Sequence, residues 1–112
     1  MRNFPRQFQA PIRTGKVTVA FRDWAYPRVQ VGKVYDALNV GNLFIEDCKR
    51  VNLKDIREAD ALAAGWRSLA DFRQNYEQIH PGCNFEHERA YRIRFRYMDG
   101  TRPADAEMNG AP

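Results

Sequence analysis

The chain has 112 residues, of which 44% are apolar and 29% charged, and its formal net charge is +4. That length supports one domain with one core, and the composition excludes wholesale disorder. No apolar run approaches the roughly 20 residues of a membrane-spanning helix, and the segment Met1 to Phe8 lacks the apolar stretch of a secretory leader, so the expected setting is the cytoplasm.

The charge is unevenly placed. Residues 1–33 hold seven Lys or Arg and one acid, Asp23, a net of +6. Residues 34–88 hold six bases and ten acids, a net of −4, and residues 89–98 hold four arginines and no acid. Positive charge therefore concentrates near the two ends of the presumed fold. If those ends meet in space, they form one basic surface. Cys48 and Cys83 make no CxxC pair, and in a reducing compartment both are expected to be free thiols.

In chain order, residues 1–8 read as a flexible basic arm. Pro5 and Pro11 argue against a long helix, leaving room for a short helical turn over residues 9–14. A first strand is predicted over residues 16–22. Val17, Val19 and Phe21 alternate with Lys16, Thr18, Ala20 and Arg22, the period of a half-buried strand. Trp24, Tyr26 and Arg28 follow in a loop that Pro27 keeps irregular. A second strand is predicted over residues 34–38, a turn at Gly41 and Asn42, and a third strand over residues 43–51. Ile56, Ala59, Leu62, Ala63 and Trp66 then fall at helical spacing, with Asp55 and Glu58 as a start signal and Gly65 as a stop. Ser68 with Asp71 opens a second helix, whose stripe is Leu69, Phe72, Tyr76 and Ile79. His80-Pro81-Gly82 ends it. In the last strand Tyr91, Ile93, Phe95 and Tyr97 alternate with Arg92, Arg94, Arg96 and Met98. Residues 99–112 carry no periodic apolar signal and read as a disordered tail. The order is (α)-β-β-β-α-α-β, an α+β chain whose first and last strands share one pattern and are expected to pair, closing a small barrel.

Taken in order, Gly15 to Arg22, Val29 to Tyr35, Ile45 to Val51, Leu53 to Ile56, Glu58 to Ala61, Ser68 to Phe72 and Tyr91 to Phe95 resemble the ASCH family, a branch of the PUA-like β-barrels. The resemblance covers about residues 8–98 and places an ASCH/PUA-like domain at residues 9–98, similar to small bacterial or phage ASCH proteins. It implies a mixed β-barrel with helices flanking a cleft, and ligands that are RNA or nucleotide-like. Some small bacterial members of the family are amidohydrolases acting on N4-acetylcytidine, with a Lys and a Thr on the first strand and a Glu near the helices. Counted without gaps, those positions fall here on Val17, Ala20 and Gly65. Lys16 and Thr18 stand one and two places away, and a one-place shift on a strand reverses the face.

The expected function is an RNA- or nucleotide-binding domain with a basic cleft and aromatic stacking. Its candidate ligand-binding residues are Lys16, Thr18, Arg22, Trp24, Tyr26, Arg28, Arg92, Arg94 and Arg96. Cations offer contacts to phosphate and flat rings offer stacking to bases. The plainer alternatives are a solvated strand face for Lys16, Thr18 and Arg22, a rim residue for Trp24, and cross-strand pairing of the arginines with Glu46. If the protein is an enzyme, Lys16 and Thr18 are its candidate catalytic residues, in a small hydrolase resembling the N4-acetylcytidine amidohydrolases or a ribonuclease. A third possibility is a protein-interaction module that uses the loop from Trp24 to Val31. The spacing His80-x2-Cys83-x3-His87 implies no fourth ligand, so no metal and no cofactor are expected, and neither is a membrane partner.

Overall fold

The structure, a computed structural model, describes residues 3–98. Its elements run α1 (Arg6–Arg13), β1 (Val19–Arg22), β2 (Val34–Ala37), β3 (Gly41–Asn52), a 3-10 turn (Leu53–Asp55), α2 (Glu58–Ala63), α3 (Leu69–Ile79) and β4 (Arg89–Tyr97). The four strands form one antiparallel sheet in the order β1-β4-β3-β2. The sheet curls into a half-barrel, so the expected mixed barrel is realised as an open antiparallel one. β1 and β2, four residues each, remain its edges.

The alternation along β4 sorts its side chains between two cores. Ile93 and Phe95 join Leu43, Ile45 and Ala20 on the concave face, where Phe4, Phe8 and Ile12 close the cluster. On the opposite face Ala90, Phe21 and Val51 meet Phe72, Tyr76, Ile56 and Phe85. Trp66 packs against both clusters. β1 is thus covered on each side, which is why Val19 and Ala20, neighbours on opposite faces, are both buried.

Where a loose arm is expected over residues 1–8, the described part, residues 3–8, is packed. α1 starts at Arg6, and Phe4 and Phe8 are buried. Phe4, Phe8 and Ile12 stand four residues apart, a spacing that stacks them on one side of a helix. Pro11 lacks the N–H that would continue the ladder, but its carbonyl accepts the N–H groups of Lys16 and Val17 at 2.9 and 3.1 Å. Gly15, at φ +83°, makes the left-handed turn out of the helix.

The first strand is shorter than expected. It begins at Val19 because the Thr18 N–H donates to the carbonyl of Ala63 at the end of α2, at 2.9 Å. The β2–β3 turn comes earlier than expected, with Asn39 in the left-handed region at φ 62°. Gly41 instead opens β3, where a Cβ would stand 3.0 Å from the Tyr97 ring. α2 is capped by Asp60, whose Oδ2 accepts from the Arg57 N–H at 3.2 Å. α3 begins where expected. The Asp71 N–H donates to Ser68 Oγ at 3.0 Å, and Asp71 Oδ2 accepts from the Arg67 N–H at 3.1 Å. The predicted tail at 99–112 lies outside the described residues.

Candidate nucleic-acid interface

β1 and β4 lie side by side, with Val19 opposite Arg94 and Phe21 opposite Arg92. The first strand, which holds Arg22 alone of the seven bases in residues 1–33, therefore shares one sheet with the arginine-rich β4. Along β4 the core residues point inward, so Arg92, Arg94 and Arg96 all point to the other face, where Lys49 of β3 stands opposite Arg92.

β3 carries a bulge between Ile45 and Asp47. The extra residue, Glu46, reaches both Arg94 and Arg96, with N···O distances of 3.9 and 4.0 Å. Those contacts are long, and the two arginine side chains stay 53% and 62% exposed. Arg92 is held more firmly, at 3.6 Å from Asp60 and 3.8 Å from Asp47, so it braces α2 against the sheet.

β4 runs on to Tyr97, while its pairing with β1 ends at Arg94. The uncovered end of β4 and the turn after α1 enclose a hollow of about 430 Å³. Arg13, Thr14, Thr18, Arg94, Arg96 and Tyr97 line it, and Glu46 is the one acid among its lining residues. Arg13 is steadied by donating to the Asn39 carbonyl at 2.8 Å. A second hollow of about 410 Å³ lies further back along the same two strands, lined by Lys49, Arg50, Arg89 and Arg92 together with Asp55 and Asp60.

No family model and no curated protein matches the chain. Among solved structures, it is similar to the ASCH domain from Lactobacillus crispatus, with a TM-score of 0.69 and 14% identity, over 86% of this chain and 76% of that one. The fold is that of an ASCH domain. A protein from Enterococcus faecalis in the family DUF984 is similar at a TM-score of 0.59 and 9% identity, over 80% of this chain and 69% of the other.

Within this ASCH fold the nine residues expected to bind ligand divide into several places. Thr18, Arg94 and Arg96 share the first hollow, and Arg92 lines the second. Lys16 is exposed beside a separate groove of about 620 Å³ with Trp66 and Asp71. Arg22 is turned inward. It donates to the carbonyls of Phe21 (3.1 Å) and Asn3 (3.2 Å), and its guanidinium lies 5.0 Å from the centre of the Phe4 ring. Burial pushes its pKa down, and Asp23 partly offsets that. Trp24 packs against the core, 6.3 Å from the Tyr91 ring. Tyr26 is exposed under Arg28, which sits 5.6 Å from its ring. Lys16, Thr18 and Arg22 do not form a common cleft floor, because the strand that would align them starts only at Val19.

Arg13 and Thr14 were not expected at the site. The signal available for them is the basic residue in the last helical turn before Gly15. His80 has its Nδ1 at 3.4 Å from Asp23 Oδ2, and its ring centroid lies 4.4 Å from that of Tyr76. Among the described residues no group of three or more His, Cys, Asp or Glu side chains could hold a metal ion. No helix among them is long and apolar enough to cross a membrane.

Val17, Ala20 and Gly65, on which the ungapped count sets the Lys, Thr and Glu positions, are apolar. Val17 and Ala20 are buried and line a groove of about 280 Å³ with Phe4, Phe8 and Trp66. A Cβ on Gly65 would stand 2.7 Å from the Phe8 ring and 3.0 Å from Val17. These positions supply neither a general base nor a nucleophile, and Phe8 fills the space a side chain at 65 would need.

Proposed function

We propose that the protein binds RNA or a nucleotide-like ligand through the cationic hollow at the end of β4. The observation that carries this reading is the meeting of Arg13, Arg94 and Arg96 with the hydroxyls of Thr14 and Thr18 around one cavity. Guanidinium forks suit phosphate oxygens, hydroxyls add neutral hydrogen bonds, and the Tyr97 ring offers a face to a base. Glu46 holds Arg94 and Arg96 only at long range and in solvent, so a phosphate competes with it on favourable terms.

Binding of this kind releases counterions and weakens as salt rises. Fluorescence anisotropy with short labelled RNAs, titrated from low to moderate salt, tests it. Arg94→Ala is expected to weaken binding across all sequences and to lower the salt slope by about 1. Failure of every RNA to bind, or binding that ignores salt, overturns the proposal. The apolar lining at Val17, Ala20 and Gly65 supports a binding role over amidohydrolysis. Incubation with N4-acetylcytidine, followed by chromatography, is expected to return the substrate unchanged.

A further inference from the structure

The geometry points to a single-stranded oligonucleotide as the partner, laid along β4 so that successive phosphates meet both hollows, with Glu46 standing in for one of them in the free protein. This inference rests on the binding reading above and adds the length and form of the ligand.

Three observations carry it. First, the two hollows are consecutive along one strand face. Arg94 and Arg96 line one, and Arg92 and its cross-strand neighbour Lys49 line the other. Residues two apart on a strand repeat about every 6.6 Å, so from Arg92 to Arg96 the row extends about 13 Å. One phosphate group fills one hollow; occupying the row takes several in line. Second, rings stand at one end of the row. The Arg96 guanidinium lies 5.0 Å from the centre of the half-buried Phe44 ring, and Tyr97 lines the adjoining hollow. A ring stacks on a base only when that base is free of its own helical neighbours, which favours a single strand over a duplex. Third, the bulge delivers a carboxylate between two exposed arginines. Like charges along a strand face repel, and Glu46 offsets that repulsion at the place where a bound phosphate would do the same. The anion must displace this contact, so Glu46 sets the affinity.

The test uses the full chain and labelled oligouridylates of two, four, six and eight nucleotides, with a duplex of the same length as control. Affinity is expected to rise at least about tenfold from the dinucleotide to the hexanucleotide and then level off, as more phosphates are engaged. Glu46→Gln is expected to tighten binding by about three- to tenfold and to steepen the salt slope. Lys49→Ala, at an exposed position, is expected to weaken the hexanucleotide while leaving the dinucleotide unchanged. A dinucleotide that binds as tightly as the hexanucleotide, a duplex that binds better than either, or an unchanged affinity in Glu46→Gln overturns this inference and leaves the binding reading standing. Absence of binding at every length overturns both.

Discussion

Gly65 shows how a single residue constrains both the fold and the chemistry. Its φ of +98° lies in the left-handed region, and the Phe8 ring occupies the space where a Cβ would project. Gly65→Ala is expected to destabilise the protein by about 1–3 kcal/mol, measured by urea unfolding. Tyr76 carries a different constraint. Burial, with the nearby carboxylates of Asp23 and Glu88, pushes its phenol up to about 12 from 10.0. The folded state thus prefers the neutral phenol more than the unfolded state does. That contribution is complete below pH 10 and is lost as pH rises towards 12. The urea midpoint is expected to fall over that interval, and Tyr76→Phe to flatten the fall. Arg22 marks the limit of reading residues singly. Its charge and place after a strand are plain in the sequence, but its destination depends on Asn3 and Phe4, nineteen and eighteen positions away, coming to lie against it.

Among the elements, α1 is the one whose importance exceeds its sequence signal. Pro5 before it and Pro11 within it argue for an irregular segment, yet the apolar spacing of Phe4, Phe8 and Ile12 outweighs them once a sheet face is available to cover. Deleting residues 1–8 removes two aromatic side chains from the main core. A single buried Phe truncation costs about 3–5 kcal/mol and a domain's whole stability is about 5–15 kcal/mol, so the shortened chain is expected to lose its cooperative thermal transition by circular dichroism. The strands were legible because one face is core and period two is hard to counterfeit. α3 was legible because Ser68 and Asp71 announce its start and His80-Pro81 its end. Of the stripe expected for α2, Ile56 and Trp66 pack into the core but Ala59 and Leu62 are exposed. Ala61 and Ala64 are buried while Leu62 is 49% exposed, because a six-residue helix is placed by its anchors at Thr18 and Leu69 more than by its own stripe.

At the scale of the molecule, the expected pairing of first and last strands is present in the β1–β4 ladder, while the first segment contributes Arg13 to the basic surface rather than Lys16 or Arg22. The arginine row on β4 and its pairing with Glu46 were also readable, since alternation fixes the face and the acids lie in the neighbouring strand. What did not follow from the sequence was the gathering of Thr18 and the arginines with Arg13 and Thr14 while Lys16, Arg22 and Trp24 went elsewhere. That outcome depends on where β1 stops pairing and on how α1 docks, both products of long-range packing. The half-barrel thus supplies a rigid support, and the irregular joins at its rim decide which charges meet.

The ladder between β1 and β4 also sets a timetable. Val19 finds Arg94 only after seventy-five further residues have been made. During synthesis at about 5–20 residues per second, the early strand and the phenylalanines ahead of it must wait several seconds for the partner that shelters them. Folding therefore waits until β4 has emerged from the ribosome, and the slow step is the search that joins the first strand to the fourth.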